Sequence, residues 1–173
     1  MSGGAIVLNP VPVTAERFAP FGDVIQAERG AALAMNEARF ERFNDLAEID
    51  VDRRFGGRVS VGITRCKTAT RLPYCFDLVE RHPLGSQAFI PLARFPFVVA
   101  VGPAGESVEA PDLQAFLFAP GQGVNYRRGV WHMPLIALQG GQEFLIVDRS
   151  GGGGNCEERV LGEQVTLQAI DLP

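Results

Sequence analysis

The chain predicts a mainly β fold, a sandwich or barrel of antiparallel strands, and three observations carry that prediction. Twelve prolines and twenty glycines are spread through the 173 residues, so regular segments are short. The segments between them are rich in Val, Ile and Phe, which suit a pleated, half-buried surface. Helical periodicity is convincing only near residues 14–18, where Thr14 is placed to cap a single turn.

In order, strands are predicted at 24–27, 58–66, 74–82, 87–91, 97–102, 113–119, 123–126, 133–138, 143–148 and 165–169. The run at 74–82 ends at Pro83, which cannot donate to a ladder. The turn Leu84-Gly85-Ser86 then returns the chain into Gln87-Ala-Phe-Ile. Pro120-Gly121 separates 113–119 from 123–126. Residues 143–148 hold the apolar run Phe144 to Val147. The glycine-rich stretch RSGGGGN at 149–155 is read as a flexible surface loop: no Lys-Ser/Thr follows it and no helical pattern begins there, so it does not read as a phosphate cradle. There is no internal repeat and no composition shift, which predicts one domain over 1–173. The number and spacing of strands suit closure into a small barrel or sandwich.

Composition excludes several function classes. With 46% hydrophobic and 21% charged residues the chain is long enough to bury a substantial core. A formal net charge of −4 with scattered Lys and Arg offers no field for a phosphate backbone, so nucleic acid is not an expected partner. No window approaches the ~20 apolar residues that span a bilayer, and the N-terminal sequence lacks a charged region followed by an apolar one. A cytoplasmic protein with no membrane partner is expected. Cys66, Cys75 and Cys156 form no C-x-x-C pair and have no histidine at zinc spacing, which fits reduced, structural thiols.

The chemistry concentrates in two segments that hold the chain's two histidines. Side chains two apart on a strand point the same way, so Glu80 and His82 share one face and Arg81 takes the other. Gln87 lies just across the turn. The second segment, Pro120 to Leu135, carries Asn125, Tyr126, Arg127, Arg128, Trp131 and His132. An E-x-H followed by Gln and a later His has the order and ligand types of a metal or acid–base site in a small β-barrel. Each residue also has a structural reading: His82 satisfying a backbone carbonyl, Glu80 solvated at an edge, Gln87 capping a turn, Trp131 packing in the core, Arg127 and Arg128 in a charged turn. A small carboxylate ligand needs a fixed guanidinium, and Arg65 and Arg149, at the ends of apolar strands, are the expected anchors.

Five motifs, FGDVI at 21–25, NDLA at 44–47, ERHPLGSQAFIPL at 80–92, GVNYRRGVWHMPL at 123–135 and DRSGGGGNC at 148–156, resemble the ureidoglycolate lyases of allantoin degradation, a branch of purine metabolism. The likeness runs in order from about Phe18 to the C-terminal region. It implies a cupin-like double-stranded β-barrel of jelly-roll type with short peripheral helices, a homodimer, and cleavage of (S)-ureidoglycolate to glyoxylate and urea. It also implies a divalent metal, nickel or zinc, and no organic cofactor. On that resemblance Glu80, His82, Gln87 and His132 are the candidate metal ligands, and His132, His82 and Glu80 the candidate catalytic groups. Gln87, Arg65, Arg149, Asn125, Tyr126 and Trp131 are the candidate substrate-binding groups. The chain departs from the family pattern at Met133 and Asn44, where that pattern often carries histidines; methionine cannot shuttle a proton and is a poor ligand for a hard ion. Two rival readings are a ureidoglycolate amidohydrolase releasing ammonia and a non-catalytic module that binds a small acid.

Overall fold

The structure is a computed structural model and describes residues 5–27 and 31–170. The ends of the domain expected over 1–173 lie outside the described residues. In chain order the elements are β1 (Ile6–Leu8), β2 (Val11–Pro12), α1 (Ala15–Phe18), β3 (Gly22–Ile25), β4 (Leu33–Met35), β5 (Phe40–Arg42), β6 (Arg58–Arg65), β7 (Tyr74–Arg81) and β8 (Gln87–Pro91). They continue with β9 (Phe97–Ala104), β10 (Gln114–Phe118), β11 (Gly123–Tyr126), β12 (Val130–His132), β13 (Ile136–Ala137), β14 (Glu143–Ser150) and β15 (Glu157–Leu167). No helix among the described residues is long and apolar enough to cross a membrane.

The strands form two facing sheets, as a cupin-like β fold requires. One has the order β1-β15-β7-β12-β9-β10-β2, with β13 also on β9, and the other β3-β11-β8-β14-β6; β4 and β5 pair separately as a hairpin. Between the sheets lies an aromatic core to which Phe97, Val99 and Val101 of β9, Phe116 and Phe118 of β10, Phe89 of β8, Tyr126 of β11 and Phe144 of β14 contribute. A second cluster covers the outer face of the first sheet and includes Val98 and Ala100 of β9, Val79 of β7, and Trp131 and Met133. The run at 97–102 is continuously apolar because β9 buries both faces, its residues alternating between the two clusters.

The predicted strand at 24–27 begins two residues earlier, at Gly22, whose φ of +150° belongs to glycine and whose added Cβ would lie 1.9 Å from the carbonyl oxygen of Asn125. Thr14 caps α1 as expected, its Oγ1 accepting from the Arg17 N–H at 3.2 Å. Phe18, on that turn, plugs one end of the inter-sheet core, edge-on to Phe116 and Phe118 with centroids 5.5 Å away. Of the strand expected at 133–138 the structure keeps β13, Ile136–Ala137; the strand before it, β12, ends at His132, just short of the expected start. Elements absent from the sequence reading are β1, β2, β4, β5, β12 and residues 157–164 of β15.

Candidate active site

The register of one strand pair builds the site. In β12, His132 stands opposite Glu80 of β7, so the two side chains project from the same face toward the inter-sheet core. Two residues beyond Glu80, His82 follows on that face. The imidazole centroids are 5.2 Å apart. Glu80 Oε1 lies 3.5 Å from His132 Nε2 and 3.9 Å from His82 Nε2. Arg81 takes the opposite face, where its guanidinium sits 5.1 Å over the Trp131 ring and is paired with Glu106 and Glu157.

Hydrogen bonding fixes what the rings present. His82 Nδ1 is 2.6 Å from the Asn155 carbonyl oxygen and His132 Nδ1 is 3.0 Å from that of Val130. A carbonyl can only accept, so each Nδ1 carries the proton, and in the neutral ring Nε2 is a bare lone pair. Both Nε2 atoms are buried without a hydrogen-bond partner. Two lone pairs and a carboxylate aimed at one point call for a positive species between them, either a proton or a cation. Such a trio fits a divalent ion: one ligand atom from each of Glu80, His82 and His132 falls within 4.8 Å of the others, and two imidazoles with a carboxylate are a familiar donor set. The Glu80 carboxyl is held below its usual value chiefly by the neighbouring His132, with His82 helping, against the desolvation of its half-buried position.

Walls and access come from both sheets. The Tyr126 ring stacks on His132, with centroids 4.2 Å apart and planes 12° from parallel. Burial, helped by the Glu80 charge, pushes the Tyr126 phenol far up, so its hydroxyl stays neutral. A cleft of about 380 Å³ opens onto Glu80 between Phe89, Phe144 and Ile146, with Arg65, Lys67 and Thr70 along its lining. Glu80 is the one member of the trio that lines this cleft; His132, only 1% exposed, stands behind it.

The remaining expected residues divide by face. Gln87 pairs in register with Tyr126 and shares its inner face, and its Oε1 is buried without a partner. Arg65 lines the cleft while ion-paired to Glu143 at 2.6 Å. Asn125 is one residue out of phase with Tyr126 and points to the outer side, donating from Nδ2 to Asp23 Oδ2 and to the Glu48 carbonyl. Trp131 belongs to the second cluster and donates to the Gly105 carbonyl. Arg149 is spent on backbone, donating to the carbonyl oxygens of Asp52, Arg54 and Gly152. The two family departures lie outside the trio: Met133 is buried in the second cluster, and Asn44 is exposed.

Sequence reasoning missed three neighbours of the site. Lys67 stands on the cleft lining just past the end of β6. Cys156 donates its thiol to Glu80 Oε2 at 3.6 Å, and Asn155 holds His82. The glycine-rich stretch lies at the surface as expected, yet it is packed: an added Cβ at Gly151 would lie 2.5 Å from the Gly56 carbonyl oxygen.

The likeness to known proteins covers this whole arrangement. A family profile described as ureidoglycolate lyase matches residues 5–168. A protein named ureidoglycolate lyase from Burkholderia mallei (strain NCTC 10229) is 47% identical over 160 residues, covering 92% of each chain. Proteins of the same name from Chelativorans sp. (strain BNC1) and Azotobacter vinelandii are 49% identical over 147 residues and 41% identical over 165. They cover 85% and 93% of this chain, and 87% and 96% of their own. With its profile match spanning every element of both sheets and Glu80, His82 and His132 converging inside them, the chain belongs to the ureidoglycolate lyase family.

Proposed function

We propose that this protein is a carbon–nitrogen lyase that cleaves (S)-ureidoglycolate to glyoxylate and urea in allantoin degradation. The observation that carries the reading is the meeting of Glu80, His82 and His132, with Glu80 facing into a cleft sized for a small acid. Their meeting matters because of what the substrate needs. One carbon bears a hydroxyl, a carboxylate and the urea nitrogen, and its collapse moves a proton from that hydroxyl to the departing nitrogen while the C–N bond breaks and a C=O bond forms. No nucleophile is required, only a group that takes the proton and returns it.

In this reading Glu80 meets the substrate hydroxyl, and the proton rests on the Glu80–His132 pair before its return to the urea nitrogen. His82 shares the charge from the other side. The substrate carboxylate is assigned to Arg65, with Lys67 beside it on the cleft lining. Gln87 Oε1, unpartnered on the inner face, is the acceptor assigned to a ureido N–H. Glu80, His82 and His132 would hold a divalent ion, nickel or zinc, which supplies Lewis-acid polarisation of the substrate oxygen when bound. The working unit is taken as a homodimer formed by the whole chain, supported by the row Val59, Val61 and Ile63 exposed on edge strand β6. Three free cysteines suit a reducing, cytoplasmic setting.

The test is incubation of purified, metal-analysed protein with (S)-ureidoglycolate. Urea and glyoxylate in equal amounts are expected. Ammonia in place of urea would make the protein an amidohydrolase, and tight binding without turnover would make it a binding module.

A further inference from the structure

We infer that Asn155 is a positioning residue, whose side chain pins the end of the glycine-rich loop so that its own carbonyl holds His82 in the Nδ1–H form. Two contacts from this one residue reach opposite sides of the same turn. Asn155 Oδ1 accepts from the Leu84 N–H at 2.8 Å, and its backbone oxygen accepts from His82 Nδ1 at 2.6 Å. The chain arriving at Asn155 has little stiffness of its own, since residues 151–154 are all glycine and carry the largest backbone freedom.

The far end of the loop is fastened separately. Arg149 Nη2 donates to the Gly152 carbonyl and the same guanidinium grips those of Asp52 and Arg54. Gly153, at φ +85°, comes so close to Phe55 and Leu84 that an added Cβ would lie 2.9 Å and 3.1 Å from their side chains. Between this clamp and β15, the Asn155 side-chain bond to Leu84 is what sets where the next carbonyl points. That carbonyl decides the tautomer: with Nδ1–H directed to it, His82 Nε2 keeps its lone pair for the shared point with Glu80 and His132. Only acceptor atoms of Asn155 are used, so an aspartate at this position preserves the function and an apolar isostere does not.

The experiment uses the untagged 173-residue chain, in which His82 and His132 are the two histidines, each giving its own ring ¹⁵N signals. Wild type and Asn155→Asp are expected to show His82 protonated at Nδ1. Asn155→Ala and the size-matched Asn155→Leu are expected to lose that signature for His82 and keep it for His132. The kinetic arm rests on the lyase reading: both apolar variants should lose about 10–100-fold in kcat with KM within about twofold, and Asn155→Asp should stay within about threefold of wild type. A folded Asn155→Ala or Asn155→Leu protein with an unchanged His82 spectrum would overturn the inference, as would Asn155→Asp failing as badly as Asn155→Ala. The spectroscopic arm needs no substrate, so failure of the lyase reading leaves it standing.

Discussion

Glu80 is the residue on which the chemistry and the stability of the site meet. Its carboxyl is held below the usual 4.5 chiefly by His132. A depressed folded-state value contributes stability that is present above 4.5 and is lost as pH falls through the lower value. Glu80→Gln should therefore flatten the acid side of the stability curve, seen as urea midpoints that change less with pH below the carboxylate range than in wild type. The same variant should lose divalent-ion binding by titration calorimetry, since one of three donors is gone. At this scale the sequence was partly legible. The two-residue period put Glu80 and His82 on one face, but it says nothing of which strand lies opposite, and the pairing with His132 is a register fact. Period also separates Asn125 from Tyr126, yet without knowing which face was inner both looked available to a ligand. The position of Arg149 at a strand end gave no hint of the three carbonyl oxygens that occupy it.

Among the elements, α1 is a single turn held by one aromatic side chain. Phe18 is fully buried against Phe116 and Phe118. Phe18→Ala should cost about 3–5 kcal/mol, measured by urea unfolding, because the surrounding rings cannot collapse into the space. Gly151→Ala should be destabilising as well, since the new Cβ meets the Gly56 carbonyl and the backbone is at φ +120°. The core strands were readable because burial writes apolar runs into them, as at β8, β9 and β14. Of those missed, β12 is buried throughout but only three residues long, and the others lack that imprint. Strands β4 and β5 are exposed throughout, β1 and β2 are short parallel additions, and β15 begins Glu157-Glu158-Arg159, a polar start dictated by its place on β7. The glycine-rich loop read as flexible because composition reports freedom of the isolated chain, whereas Arg149 and Asn155 fix it in the fold.

Across the whole molecule, two sheets bring residues from distant parts of the chain to one cleft: Glu80 and His132 from the first sheet, and Phe89, Phe144 and the Tyr126 ring that backs His132 from the second. On the other side of the second sheet, Val61 and Ile63 are 66% and 63% exposed on an edge strand, an arrangement that invites pairing. Val61→Lys combined with Ile63→Lys should convert the proposed dimer to monomer, read as halved mass in light scattering, with little change in the folding of each chain. The most direct test of the central claim is kcat for urea release by His132→Ala, in protein shown to be folded by its near-ultraviolet circular dichroism. A fall of about 10²–10⁴-fold is predicted, the usual yield of acid–base help. Wild-type turnover in that folded variant would contradict the assignment of His132 and, with it, the shared-proton site.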